Sequence, residues 1–229
     1  QMQTSVTRLV RGLKRVSETE CPVRVIAPVA TMFEGLAPSQ LAIGQPAVPN
    51  IRDVVNDSDY LLEKKLRNHG GHALLRNTCS ITTLQGSSKI NVVPAEAHAE
   101  LDCRLLPDQD PEVFLQELTA IINDPRITIH KIMGFTPAVS RTDTPLFEVL
   151  EEVADEVFGA TVIPTVAGGF TDSHFFRDLG ITSYGYSPFA FAPREFSGVH
   201  GNDERLAVDQ LRRGVKIYYN VLRRFTARP

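Results

Sequence analysis

Residues 4–17, TSVTRLVRGLKRVS, place Val6, Leu9, Val10, Leu13 and Val16 at helical spacing, so the chain opens on an amphipathic helix. Residues 22–50 are Pro-rich and mixed, while 51–68, IRDVVNDSDYLLEKKLRN, read as helical again. From 77 the period changes. CSITTL reads as a strand, QGSSK as a turn-rich connection, and INVVP leads toward AEAHAELDCRL, which alternates strictly. Ala97, Ala99, Leu101, Cys103 and Leu105 take one face; Glu96, His98, Glu100, Asp102 and Arg104 take the other, as in a half-buried strand. DPEVFLQELTAII then predicts a helix with Asp110 as N-cap, Pro111 in its first turn and a stripe of Phe114, Leu118, Ile121 and Ile122. ITIHKIM reads as one more strand.

Around SRTDTP (140–145) the pattern changes again. Thr144 and Pro145 open a helix carrying Leu146, Val149, Leu150, Val153 and Val157, closed by Gly159. TVIPTVA predicts a strand, TDSHFFRDL a short helix stopped by Gly180, and ITSYGYS a further strand. The last helix shows Leu211, Val215, Tyr218, Leu222 and Phe225 on one face. The first half, in the order helix, long insertion, strand, strand, helix, strand, is a ferredoxin-like βαββαβ unit short of its first strand. The strand–helix–strand unit that follows suits a parallel or mixed α/β sheet. The expected class is α/β.

Composition narrows the function classes. Lys plus Arg number 24 and Asp plus Glu 27, giving a net charge of −3 with no basic cluster, which argues against a nucleic-acid footprint. An RNA-binding ferredoxin-like domain also needs a basic, aromatic sheet face that this sequence does not offer. No apolar run has membrane-spanning length, and no signal peptide is visible. The chain opens with Gln1 rather than Met, so any targeting segment is expected upstream of it. Cys21, Cys79 and Cys103 are odd in number and widely spaced, with no CxxC. No disulfide framework or Cys-type zinc site is expected; Cys79 and Cys103 read as small buried hydrophobes at apolar strand positions.

Few residues offer chemistry, and each has a plain alternative. Gly168-Gly169-Phe170-Thr171-Asp172 follows a strand-like run and opens a helix, where backbone N–H groups favour anions and polarised carbonyls; alone it is equally a Gly turn with a Thr or Asp N-cap. Arg104, beside Asp102 and Glu100 on the polar strand face, suits bidentate capture of a substrate carboxylate, or else a cross-strand ion pair. HGGH (69–72) is a flexible turn without fixed ligand geometry. His200, in SGVHGNDERL, cannot hold a metal by itself, since a zinc site needs at least three protein ligands. Its candidate neighbours Asp172, His174 and Glu204 have spacings that support no self-contained site.

Taken together, NVVP (91–94), LDCRLLP (101–107), GGFTDSHFF (168–176) and YGYSP…VHGNDERL (184–206) resemble, in order and spacing, the C-terminal half of the di-zinc amidohydrolase/peptidase family. That family contains aminoacylase, succinyl-diaminopimelate desuccinylase and carboxypeptidase S. The likeness is greatest to the carboxypeptidase S type, which includes enzymes acting on N-fatty-acyl amino acids, and it covers the chain from residue 1. The resemblance implies a ferredoxin-like lid domain over 1–137, with a helical insertion at about 27–76, and the C-terminal segment of the catalytic domain over 138–229. It implies two zinc ions per intact enzyme, with His200 the last ligand. Asn91 is then expected to hold the scissile carbonyl, Arg104 the substrate carboxylate, and Gly168, Gly169 and Thr171 to line the pocket. The implied substrate is a small peptide or an N-acyl amino acid, and the implied partner a second copy joined through the lid. The family's other ligands and its general base Glu have no counterpart in this sequence and are expected before residue 1. The chain by itself is therefore expected to be inactive, or to serve as a non-catalytic lid-type dimerisation or binding module.

Overall fold

A computed structural model describes residues 3–42, 48, 50–56, 72–189, 198–199 and 201–228. The first elements are helices: α1 (Ser5–Glu18), α2 (Ala27–Ala42), α3 (Ile51–Asn56) and α4 (His72–Leu75). An antiparallel pair, β1 (Thr78–Gln85) and β2 (His98–Arg104), follows. Then come α5 (Pro111–Ile122), α6 (Pro145–Phe158), α7 (Ser173–Asp178) and α8 (Val208–Thr226). The result is a mixed α/β chain whose described residues contain one two-stranded sheet.

Contacts divide the chain into two compact units. Gln1–Val139 with Pro164–Leu179 form the first, and Ser140–Ile163 with Gly180–Pro229 the second. This division differs from a boundary at 137/138 over Pro164–Leu179. That stretch packs on the first unit: Val166 joins the α2 cluster, and Phe170 and His174 stack on Phe135.

In the first unit, α1 is capped by Thr4, whose hydroxyl accepts the Thr7 N–H at 3.2 Å while Thr7 reaches back to the Thr4 N–H. Its apolar stripe meets that of α5. Val16, Leu118 and Ile122 form a buried cluster, with Cys79, Leu101, Ile127 and Ile129 packed against it from the sheet side and from the chain beyond α5. Two charged groups on α1 fasten the pair. Arg8 forms an ion pair with Asp124 at 2.8 Å, and Arg15 Nε donates to the Ile122 carbonyl at 3.0 Å, satisfying an orphan group at the end of α5. The backbone N–H of Arg126, then Arg8, hold the Asp124 carboxyl below its ordinary range. At the other end of α5, Asp110 accepts the N–H groups of Glu112 (2.7 Å) and Val113 (3.2 Å), as the DP signal predicts. Asp110→Ala is expected to cost about 1 kcal/mol, read as a shift in the urea midpoint at unchanged m-value.

Within residues 22–50, α2 runs through Pro38. Pro28 sits in its first turn, where a missing N–H costs nothing. Burial of Val29, Ala30 and Met32, with Ile51 and Leu75 against Val29 and Ala30, outweighs the break that Pro38 imposes. For the 51–68 reading, Ile51–Asn56 is helical; the rest, and residues 69–71 of HGGH, lie outside the described residues.

In the second unit, Thr144 caps α6 by accepting the Phe147 N–H at 3.2 Å, and Gly159 ends it with φ +59°, a left-handed conformation that costs glycine least. Helix α6 packs on α8 through Val149, Leu150, Val153, Ile217 and Val221, and Tyr184 and Tyr186 cover the seam. The α8 face read from the sequence is not the buried one. Leu211, Val215 and Leu222 are half or more exposed, while Gly214, Ile217 and Val221 point inward. Gly214 sets this orientation, since a Cβ there would lie 2.0 Å from the Phe189 ring.

Three expected strands do not form. ITIHKIM, TVIPTVA and ITSYGYS carry no ladder pairing. Short apolar runs show their periodicity with or without a partner strand, and pairing is what makes a strand. Pro164 also removes a donor from the second run. The reading of Cys79 and Cys103 is corrected as well: they form a disulfide. They are directly opposed in the β1–β2 register, a relation that a sequence separation of 24 residues does not reveal.

Candidate functional site

The hairpin carries two of the expected site residues. Pairing runs from Thr78↔Arg104 to Gln85↔His98, with a slip between Ile81 and Thr83. At the slip, side chains replace the ladder: the Thr82 hydroxyl donates to the Glu100 carbonyl at 3.2 Å, and the Thr83 hydroxyl accepts the Glu100 N–H at 3.1 Å. The register puts Asp102 and Arg104 on the open face, and Leu101 and Cys103 toward α1 and α5.

Arg104 ends β2 on that open face. Its Nη2 and Nε donate to Asp102 Oδ2 at 2.8 and 3.2 Å. The ion pair that sequence reading held as the alternative role therefore exists, but along one strand rather than across two. Both side chains are about half exposed, 46% and 51%, so the pair is worth little on its own and a competing carboxylate can displace it at small cost.

What aims the chain beyond Arg104 is Asn77, a buried residue that sequence reasoning missed. Its Oδ1 accepts the Leu106 N–H at 2.8 Å and its Nδ2 donates to Gln109 at 2.8 Å. Gln109 also accepts from Arg24 at 3.0 Å. An Asn just before a strand gives no sequence signal for this bridge, because its partners lie about thirty residues away.

Asn91 sits exposed in the connection between the strands. The turn before it is built by Ser87, whose hydroxyl donates to the Lys89 carbonyl at 2.9 Å and accepts the Lys89 N–H at 3.1 Å. Ser5 ties the connection to the start of α1 by donating to the Pro94 carbonyl at 2.8 Å. An open groove of about 490 Å³ lies there, lined by Val6, Leu84, Val92, Val93 and Pro94 among others. Asn91 thus lies in the connection before β2, and Arg104 is the last residue of β2.

Gly168, Gly169 and Thr171 do share one loop, and all three are exposed. Among the described residues, a Cβ on Gly169 would meet nothing within 4 Å, and one on Gly168 only Leu74 at 4.0 Å. Packing therefore does not demand glycine here; what these residues leave is open backbone. Asp172 occupies the N-cap position of α7 without a side-chain capping bond. The Thr171 carbonyl instead accepts both the His174 backbone N–H (3.3 Å) and His174 Nδ1 (3.0 Å). A carbonyl can only accept, so Nδ1 carries the hydrogen of this bond.

His174 itself is buried, its ring 4.0 Å from Phe135, 4.7 Å from Phe170 and 3.7 Å from Phe175 between centroids. It faces this aromatic cluster, while Asp172 is exposed. The described residues contain no group of three or more His, Cys, Asp and Glu side chains able to hold a metal ion. His200, the one ligand assigned by resemblance, lies outside the described residues. The described residues alone therefore do not make a zinc site.

Comparison with known proteins places these observations. The family profile described as peptidase family M20/M25/M40 matches residues 11–224. The N-fatty-acyl-amino acid synthase/hydrolase PM20D1 of Homo sapiens is 28% identical over 230 residues, covering 96% of this chain and 44% of that protein. The probable carboxypeptidase S-like 2 of Dictyostelium discoideum is 29% identical over 154 residues, covering 66% of this chain and 30% of that protein. The crystal structure of an M20 family metallo-carboxypeptidase, Sso-CP2 from Sulfolobus solfataricus, is similar with a TM-score of 0.62 at 18% identity, over 98% of this chain and 53% of that one. The chain thus spans less than half the length of either curated relative and about half of the solved structure.

Proposed function

Since the chain belongs to peptidase family M20/M25/M40, whose members are metal-dependent hydrolases, we propose that it supplies the lid and part of the catalytic domain of an enzyme cleaving an amide bond beside a free carboxylate. The observation that carries this reading is the family match along 11–224, in which Arg104 falls on an open strand face with only a weakly held partner. Arg104 binds the substrate carboxylate in a planar fork that lysine cannot copy. The Gly168–Thr171 loop offers its open backbone to the acyl or side-chain end. The substrate is a small peptide or an N-acyl amino acid, a class supported by the likeness to an N-fatty-acyl-amino acid synthase/hydrolase and to a probable carboxypeptidase S-like protein.

In this reading the intact enzyme binds two zinc ions, and His200 is one ligand of that centre. One ligand cannot hold zinc against water. The purified 229-residue chain is therefore expected to carry well under one zinc after dialysis, by elemental analysis, and to leave N-acyl amino acids uncleaved with zinc added. One or two tightly held zinc ions would mean that this chain has a centre of its own and would remove the half-site reading. Turnover of N-acyl amino acids whose carboxylate is amidated, at the same rate as the free acids in competent enzyme, would remove the carboxylate reading.

A second reading is favoured by the sheet. Among the described residues β1 and β2 have no further strands, so each shows an unpaired edge that can accept another chain. We propose homodimerisation through this lid sheet. A molar mass near twice 25.3 kDa at micromolar concentration is the expected result, and a strict monomer removes it.

A further inference from the structure

We propose that the Cys79–Cys103 disulfide is a thiol–disulfide exchange site for a dithiol reductant, and that its redox state sets how firmly β2 holds Arg104. The functional half of this proposal rests on Arg104 as the carboxylate-binding group. The structural half stands on the hairpin alone.

The disulfide lies in the short stretch of ladder on the Thr78 side of the register slip. Four register pairs make it: Thr78↔Arg104, Cys79↔Cys103, Ser80↔Asp102 and Ile81↔Leu101. Beyond Ile81 the register slips, so this patch gains little from the pairs at Thr83–Gln85. Arg104 belongs to its terminal pair and adjoins Cys103, while its partner Thr78 adjoins Cys79. The covalent bond therefore spans the two strands one residue from the guanidinium-bearing position. It faces the α1–α5 side, where Cys79 packs on the Val16, Leu118 and Ile122 cluster, whereas Arg104 faces the open side. Coupling runs through the backbone of β2, not through side-chain contact.

Two further features suit exchange. Both cysteines are half-buried rather than sealed, so a small dithiol reaches the sulfurs. The third cysteine, Cys21, does not compete: burial, then the nearby Glu117 charge, pushes its thiol above the ordinary range and keeps it a poor nucleophile. Exchange therefore needs an external thiol. A thiolate of the reductant bonds to one sulfur and the other leaves as a thiolate. The second thiol of the reductant then displaces the first cysteine, leaving Cys79 and Cys103 as thiols and the reductant as its own disulfide. Solvent and the reductant supply the protons. After reduction the Asn77 bridge to Leu106 and Gln109 still ties the strand ends, so the patch loosens without the hairpin separating.

The test uses the whole chain and dithiothreitol under native conditions. Accessible thiols are expected to rise from one to three, out of three cysteines, without denaturant. Hydrogen exchange across Leu101–Leu105 is expected to quicken at least tenfold, while α6 and α8 stay unchanged. A thiol count fixed at one until denaturant is added, or equal exchange in both redox states, overturns the proposal. The double variant Cys79→Ser/Cys103→Ser is expected to show the fast exchange with and without dithiothreitol; slow exchange like that of the oxidised chain overturns it too. Should that variant not fold, the wild-type measurements decide alone. Titration with N-acetylglycine separates the two halves. Weaker binding on reduction supports both, and absence of binding in either state removes the Arg104 role while the exchange result continues to judge the switch.

Discussion

Replacing Ile217 by alanine is expected to cost roughly 2–5 kcal/mol, the range for deleting a large buried aliphatic side chain. Ile217 is 1% exposed and lies among Val149, Leu150, Val153 and Val221, where α8 meets α6. Its loss removes transfer energy and leaves a cavity, and neighbours as branched as Val149 and Val153 close on it poorly. The control is Leu222→Ala on the same helix. Leu222 is 59% exposed, so that change is expected to stay within about 0.5 kcal/mol. Urea unfolding, followed by hydrogen exchange at α6 and α8, measures both. Equal costs for the two variants would show that the buried face of α8 is wrongly assigned.

That comparison also shows where the sequence stops being readable. Leu211, Val215, Tyr218, Leu222 and Phe225 form the richer apolar row, so a count of hydrophobic residues selects them. The structure selects the poorer row because Gly214 lets the Phe189 ring approach the helix, and no count of apolar side chains registers a glycine. Signals that act within a few residues were legible: the Asp110 and Thr144 caps, the Gly159 stop and the alternation of β2. Relations set by pairing were not. The Cys79–Cys103 bond and the Asn77 bridge each depend on which strand residue faces which, and periodicity carries no register. The candidate site divides in the same way. Gly168, Gly169 and Thr171 are neighbours in the chain and share one loop, while Asn91 lies in the β1–β2 connection and Arg104 at the end of β2.

Arg104→Ala is expected to raise KM for carboxylate-bearing substrates about 10–150-fold in catalytically competent enzyme, the equivalent of losing one charged hydrogen-bonded contact of roughly 1.5–3 kcal/mol. The change should fall mainly on KM, because the carboxylate is present in ground state and transition state alike. Folding stability should hardly move. Its side chain pairs with Asp102, a half-exposed ion pair whose contribution is at most about 1 kcal/mol. Arg104→Lys keeps the charge but not the planar fork, so its KM should lie between wild type and Arg104→Ala. An N-acyl amino acid amide, which lacks the carboxylate, should be turned over equally by all three proteins. A KM unchanged by Arg104→Ala would leave Arg104 as the partner of Asp102 alone. A KM raised equally for acid and amide would point instead to a distorted β2, which the exchange rates across Leu101–Leu105 would show directly.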